Sequence, residues 1–258
     1  DGLNKNYEWN QYRNTLHAER PVQDGERFAG LKPVKATVTV QPERAKAISD
    51  LLLGAFFEDI NYSVDGGLYA ELIQNRDFEY TPSDREGDKS WNSMHSWTLK
   101  GDKATFTIDT VVPIHRNNPH YAVLAIERPG AALANTGFDE IALNGGEKYD
   151  LSVFARVPQG TSNKLQIRLV DDEGNICGET SMNISSRQWK TYKAVITAKN
   201  TADTHLEIIP QSAGELHLDM ISLFPQNTFK GRKNGLRKDL AQVLADIHPR
   251  FIRFPGGC

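Results

Sequence analysis

Sulfur is scarce in this chain, with two cysteines and three methionines in 258 residues. Cys177 and Cys258 fall in segments of different character, and neither has a Cys or His neighbour at metal-ligand spacing. A disulfide framework and a structural metal are therefore not expected. The seven histidines form no paired ligand pattern, so no metal or other cofactor is anticipated. Surplus positive charge is missing too. With 30 Lys and Arg against 33 Asp and Glu, a net charge of -3 and a pI near 6.2, the chain lacks the concentrated cations that phosphate backbones attract, which argues against nucleic acid. Its one basic cluster, Lys230, Arg232, Lys233, Arg237 and Lys238, reads as a solvated helix start. Long apolar runs are absent: none could span a bilayer or serve as a signal peptide, so no membrane partner is expected. Beginning at Asp1, the chain reads as a mature or truncated soluble product.

The length fits two domains, and 39% hydrophobic residues suffice for ordinary cores. Residues 1–35 are polar, with scattered aromatics at Tyr7, Trp9, Tyr12 and Phe28 and no assignable role. Ala36-Thr37-Val38-Thr39-Val40 alternates and carries β-branched residues, which predicts a short strand ended by Pro42. An apolar segment from Ile48 to Asn61 and a second from Arg250 to Phe254 each run into polar or Gly-rich residues. That is the pattern of a strand buried on both faces and opening onto a site at its C-terminal end. Leu68, Leu72 and Ile73 have helical spacing, predicting a short helix after the first segment.

From about Thr81 to Pro225 the period becomes two. Thr105–Val111, Tyr121–Ile126, Tyr149–Val157, Leu165–Val170 and Leu216–Leu223 alternate apolar and polar residues; in the third, Tyr149, Leu151, Val153, Ala155 and Val157 share one face. Turn signals separate them, among them Asn144-Gly145-Gly146, Pro158-Gln159-Gly160, Ala213-Gly214 and Asp171-Asp172-Glu173-Gly174-Asn175, the last read as a hairpin turn rather than a calcium loop. Many short antiparallel strands with regular turns predict a sandwich of jelly-roll type. After Pro225, Leu236, Leu240, Val243, Leu244 and Ile247 form one helical stripe, with Asn234 able to cap its start and His248-Pro249 its end. Helix then strand suggests a βαβ crossover returning beside the first segment.

Three stretches carry a family resemblance. Gly54-Ala55-Phe56-Phe57-Glu58-Asp59-Ile60-Asn61-Tyr62, the run Asp65 to Glu79 reading DGGLYAELIQNRDFE, and Phe251-Ile252-Arg253-Phe254-Pro255-Gly256-Gly257-Cys258 resemble the N-terminal part of the α-L-arabinofuranosidases of glycoside hydrolase family fifty-one. The resemblance covers 37–80 and 226–258. The region between is similar, more loosely, to carbohydrate-binding modules of the family-four and family-nine type, with Gln188-Trp189-Lys190-Thr191-Tyr192 and Leu216 to Leu223 as its markers.

The resemblance implies a mixed α and β architecture: an antiparallel jelly-roll sandwich (81–225) inserted into an incomplete (β/α)8 barrel, whose parts are 36–80 and 226–258, behind a polar segment 1–35. It implies a retaining glycoside hydrolase, secreted or periplasmic, that removes terminal arabinofuranosyl residues from plant cell-wall polysaccharide or arabino-oligosaccharide. Two carboxyl groups roughly 5–5.5 Å apart perform such chemistry. In the family both glutamates come from later barrel strands and the acid/base follows an Asn. No Asn-Glu pair occurs here, so no catalytic residue is assigned, and the remainder of the barrel is the expected partner.

By resemblance Glu58 holds hydroxyls of the sugar, the other reading being a structural carboxylate. Gly256 and Gly257 allow close backbone approach and Cys258 lines the subsite; an ordinary turn after a strand is the alternative for the Gly pair. Asp59, on the opposite strand face, does not form a dyad with Glu58. Sugars stack on rings, so Trp91, Trp97 and Trp189 are weighed as stacking residues. Most large aromatics in a sandwich are core, and Trp189 is expected there, although it alternates with Tyr192 so that one of the two can be exposed. Trp91 and Trp97 lie in a Ser-rich, charged stretch with weaker packing demands. The sequons at Asn61 and Asn183 match glycosylation acceptors by pattern alone. The competing function is a stand-alone carbohydrate-binding or structural module.

Overall fold

A backbone donor or acceptor taken from water needs a partner, so an extended segment becomes a strand only where a second one lies alongside. The computed structural model describes residues 26–32, 34–85, 87–159 and 162–254. It divides into two units, Asp1–Ser49 and Asp50–Cys258. In the first, the described residues are exposed; residues 26–28 are helical and a 3-10 turn spans Pro42–Arg44. The strand expected at 36–40 is absent: Val38 and Val40 are 87% and 78% exposed and nothing described pairs with them.

The second unit holds thirteen described strands and one α-helix. Of the segment 48–61, only β1 (Ala55–Phe56) is a strand, and it pairs in parallel with β13 (Ile252–Arg253), Ala55 opposite Ile252. Between them in sequence, α1 (Lys238–Asp246) follows the predicted stripe. Its N-cap is Arg237 rather than Asn234, which has a positive φ of 48° and stands outside the helix. His248, at φ 53°, ends it. Much of their apolar surface is left uncovered by described residues, Ala241 being the one buried residue of α1. Phe56, Ile252, Phe254 and Val243 are 55%, 65%, 59% and 60% exposed.

The sandwich consists of two antiparallel sheets. One runs β10 (Lys190–Thr197), β7 (Lys148–Arg156), β12 (Gly214–Pro225), β4 (Tyr121–Ile126), β3 (Ala104–Asp109). The other runs β2 (Trp97–Lys100), β5 (Ala132–Asn135), β11 (Ala202–Pro210), β8 (Asn163–Val170), β9 (Ile176–Ile184), with β6 (Ile141–Leu143) also on β11. One core lies between them. The face predicted for β7 is buried throughout, Tyr149, Leu151, Val153 and Ala155 against Ile167, Leu206 and Ile208 of the facing sheet. Each such aliphatic side chain contributes about 1.5–3 kcal/mol. The β8–β9 connection is the predicted hairpin turn, with Asp171 Oδ1 accepting from the Asn175 amide at 2.7 Å. Cys177 is buried and not in a disulfide, its thiol donating to the Asn175 carbonyl at 3.6 Å, and Cys258 lies outside the described residues.

β12 carries a bulge between Asp219 and Ser222, with Met220 at φ 46°. The extra residue switches parity, so Leu216 and Leu218 face the core before it and Ile221 and Leu223 after it. The amide this exposes at Ile221 donates to the Arg76 carbonyl at 2.9 Å. Residues 70–73 therefore run beside β12 and turn at 74–77, in place of the helix predicted there. Glu71 explains why. Its buried Oε1 accepts from the amides of Leu72, Ile73 and Leu223 at 3.0, 3.0 and 2.9 Å, a set a helix could not present. No described helix is long and apolar enough to cross a membrane.

Candidate functional site

Alternation along the five-stranded sheet places one set of residues away from the core, and β3, β4, β7 and β12 supply an unusual group there. Tyr121 is fully buried although it points outward, and its hydroxyl donates to Asp109 Oδ2 at 2.8 Å while accepting from the Val112 amide at 3.3 Å. The Tyr121 hydroxyl and two backbone amides hold the Asp109 carboxyl below its ordinary range. Arg156, 7% exposed, donates from Nε to His217 Nδ1 at 3.1 Å, and His217 Nε2 donates to Glu215 Oε1 at 2.7 Å. Burial holds His217 below its usual pKa, in keeping with a neutral ring that accepts from Arg156.

Trp189 completes the group from the residue before β10. Its ring meets Tyr121 edge-on at 5.3 Å, the Arg156 guanidinium lies 5.0 Å over it, and its indole N–H donates to the Val112 carbonyl at 2.7 Å. It is half-buried rather than core, so part of the indole meets solvent. Its neighbour in the alternation, Tyr192, is the one that packs on the core, its hydroxyl accepting from the amides of Ser185 and Ser186 at 3.1 and 3.0 Å.

The connection between β3 and β4 crosses this face. Val112 ties it to Tyr121 and Trp189, and Asn118 Nδ2 donates to Asp219 Oδ2 at 3.0 Å. Asp219 is fully buried, and that burial pushes its carboxyl up to about 8. At neutral pH it is mostly a neutral acid.

The two other described tryptophans are packed against protein. Trp97 is 5% exposed, donates its indole N–H to the Asn75 carbonyl at 2.9 Å and packs on Phe78 at 5.3 Å. Trp91, 8% exposed, lies between Tyr80 and His95, with ring centroids at 4.8 and 4.2 Å, and Tyr62 stacks beyond at 6.4 Å. Burial pushes the Tyr80 phenol up to about 12. The Ser-rich stretch around them is held by Asn75, whose Nδ2 donates to the carbonyls of Asn92, Ser93 and His95. Long-range bonds of this kind leave no mark in the local sequence.

Glu58 follows β1 by two residues and is half-buried. The pairing continues past the strand, Phe57 N donating to the Arg253 carbonyl at 3.0 Å, so Glu58 leaves the C-terminal end of the parallel pair. Ser63 Oγ pins its backbone by donating to the Glu58 carbonyl and accepting from Ile60 N. Asp59 accepts from the Val64 amide at 3.2 Å and serves the turn. Gly256, Gly257 and Cys258 lie outside the described residues, so their placement beside Glu58 is not described.

Sequence reasoning missed Glu71, Asp219 and His217. A signal existed for the last two: in Leu216-His217-Leu218-Asp219 the polar partners of the alternation are one histidine and one aspartate on a mid-sheet strand. For Glu71 there was none, because its amide donors include Leu223, far away in the chain.

Comparison with known proteins adds three findings. The model of the carbohydrate binding domain family matches residues 70–212. An extracellular exo-α-L-arabinofuranosidase of Streptomyces chartreusis is 38% identical over 86% of this chain and 26% of its own length, and α-L-arabinofuranosidase 1 of Arabidopsis thaliana is 30% identical over 87% and 34%. A solved arabinose-bound α-L-arabinofuranosidase of glycoside hydrolase family fifty-one superposes with a TM-score of 0.70 at 30% identity, over 81% of this chain and 34% of that one. This chain thus spans about a quarter to a third of the length of the relatives it matches.

Proposed function

We propose, from the premise that this chain belongs to the carbohydrate binding domain family, that it is the N-terminal part of a secreted, retaining α-L-arabinofuranosidase acting on plant polysaccharides such as arabinoxylan or arabinan. The observation that carries the reading is the parallel pair β1–β13 with α1 before its second strand. Parallel strands joined through a helix are the unit of a (β/α)8 barrel, and here the unit leaves much of its apolar surface uncovered. The rest of the barrel would cover it. Relatives named arabinofuranosidases match 86% and 87% of this chain, which spans only 26% and 34% of their own length.

In this reading the two carboxyl groups that protonate the leaving oxygen and attack the anomeric carbon belong to later strands. Glu58 contributes the first edge of the sugar subsite, accepting hydroxyl hydrogen bonds at the strand's C-terminal end, where barrel sites lie. Trp189 offers a ring face for a polysaccharide chain. The test is turnover of an aryl α-L-arabinofuranoside. A protein continuing through the whole barrel is expected to hydrolyse it and the 258-residue chain is not; hydrolysis by the short chain alone would overturn the assignment of the chemistry to later strands.

A second reading, a stand-alone carbohydrate-binding module, draws on the closed sandwich core and the half-exposed Trp189. It predicts that the short chain already has the protein's full affinity for polysaccharide. Affinity electrophoresis of both lengths in arabinoxylan and arabinan gels separates the two.

A further inference from the structure

Eleven described non-glycine residues have positive φ, and four of them, Tyr62, Ser96, Asp139 and Glu140, line a single cavity of about 470 Å³. Backbone held in this region is costly and concentrates where a structure must present particular groups. Gly137, between them at φ 65°, has no room for a side chain, since a Cβ would fall 2.7 Å from Ile141 and 2.9 Å from the Leu72 carbonyl. The turn is thereby forced against segment 70–76.

One of the lining residues also has a buried hydrogen-bonding atom without a partner. Gln74 is 3% exposed, its Oε1 accepts from Ser96 Oγ, and its Nε2 has no partner. Turning the amide over only exchanges the two atoms, because Ser96 can satisfy one of them and not both. Its backbone is fixed by Asn135 Nδ2, which donates to the Gln74 carbonyl at 3.0 Å. A buried polar atom left in this way calls for something to satisfy it.

The remaining lining sets the chemistry of that something. Thr136 and Ser96 offer hydroxyls, Asp139 and Glu140 carboxylates, and Tyr62 a ring that already stacks toward Trp91. His95 donates through Nδ1 to the Ser90 carbonyl at 3.0 Å, which leaves Nε2 as an acceptor in the neutral ring. Two carboxylates repel an anion. The described residues contain no group of three or more His, Cys, Asp or Glu able to hold a metal ion. Mixed donors and acceptors beside an aromatic ring suit a neutral polyol, and the volume falls in the roughly 300–1,000 Å³ range of small-ligand sites.

We infer that this cavity, between Tyr62, Gln74, Ser96 and the 136–140 turn, is a saccharide-binding pocket separate from the Trp189 face, taking one unit of a neutral polysaccharide. The inference rests on the carbohydrate reading of the sandwich and adds a second contact point for the same chain.

The test is NMR titration of the isotopically labelled 258-residue protein with arabino- and xylo-oligosaccharides. The Gln74 side-chain amide and the backbone amides of Ser96 and Gly137 are expected to shift together. Gln74→Leu is expected to weaken that binding roughly three- to tenfold, the usual effect of losing one uncharged hydrogen bond. Thr136→Val, at an exposed rim position, checks the site should Gln74→Leu disturb folding. Shifts confined to the surroundings of Trp189, lost in Trp189→Ala and kept in Gln74→Leu, would overturn the pocket and leave carbohydrate binding by the sandwich intact. Absence of any shift at saturating sugar would overturn both, while the hydrolase reading still stands or falls on its own turnover assay.

Discussion

Asn118 donates a hydrogen bond at 3.0 Å to Asp219, a carboxyl with no exposed surface in the middle of β12. The contact closes the β3–β4 connection over the outer face of the five-stranded sheet, and its strength depends on pH. Burial raises the carboxyl from 3.8 to about 8 in the folded protein. The folded state therefore binds this proton more tightly than the unfolded one, so the stability it contributes is complete at low pH and lost as pH rises toward 8. His217 works the other way, its depressed pKa removing stability as pH falls through the unfolded value near 6.5. Between pH 7 and 9 the Asp219 effect is the one that varies. Urea midpoints are expected to fall across that window in the wild type, and to fall measurably less in Asp219→Asn.

Glu71 is the fastening between segment 70–76 and the sandwich. Glu71→Ala strands two buried backbone donors, those of Ile73 and Leu223, and removes one partner of Arg76, at 3.3 Å. A loss of about 3 kcal/mol is expected, with Glu71→Gln well below that because its amide oxygen still accepts. Urea unfolding of both variants measures the difference.

Trp97 and Trp189 should separate stability from binding. Trp97→Ala empties a core position and is expected to cost about 3–5 kcal/mol. Trp189→Ala, half-exposed, should unfold closer to the wild type while reducing retardation in polysaccharide gels. Equal stability losses in the two variants would contradict the placement of Trp189 on an outer, accessible face.

The face left open by α1 and the parallel pair gives a length-dependent prediction. Val243, 60% exposed, tolerates a charge in the 258-residue chain, where Val243→Glu should change stability by no more than about 0.5 kcal/mol. In a protein carrying the whole barrel the same change would bury that charge and lower the melting temperature by several degrees. Differential scanning calorimetry on both lengths makes the comparison.

What the sequence made legible was what alternation and helical spacing encode. The inward set of β7, the stripe of α1 and the Asp171–Asn175 turn are local patterns whose burial follows from their own residues. The failures share a cause as well. Segment 68–74 has helical spacing, yet Glu71 finds Leu223, and Leu72 N donates to the Leu223 carbonyl at 3.0 Å, a cross-chain arrangement that outweighs weak helical preference. The alternating run 36–40 has the right residues and no partner among the described ones. Trp97 is held by Asn75 and Trp91 packs on Tyr80 and Tyr62, which no short window around them contains. Of the candidate site, Glu58 and Trp189 were proposed from resemblance and alternation; the Gln74 pocket was not, since its walls come from four separate segments.

The central claim is that this chain supplies the first edge of an arabinofuranosidase site whose chemistry comes from later strands. The most direct measurement is kcat/KM on an aryl α-L-arabinofuranoside for the protein carrying the complete barrel, wild type against Glu58→Gln and Trp189→Ala. The account predicts turnover by the wild type, a fall of about 1.5–3 kcal/mol in transition-state stabilisation for Glu58→Gln, and little change for Trp189→Ala on this small substrate. An inert complete protein, or full activity in Glu58→Gln, would contradict it.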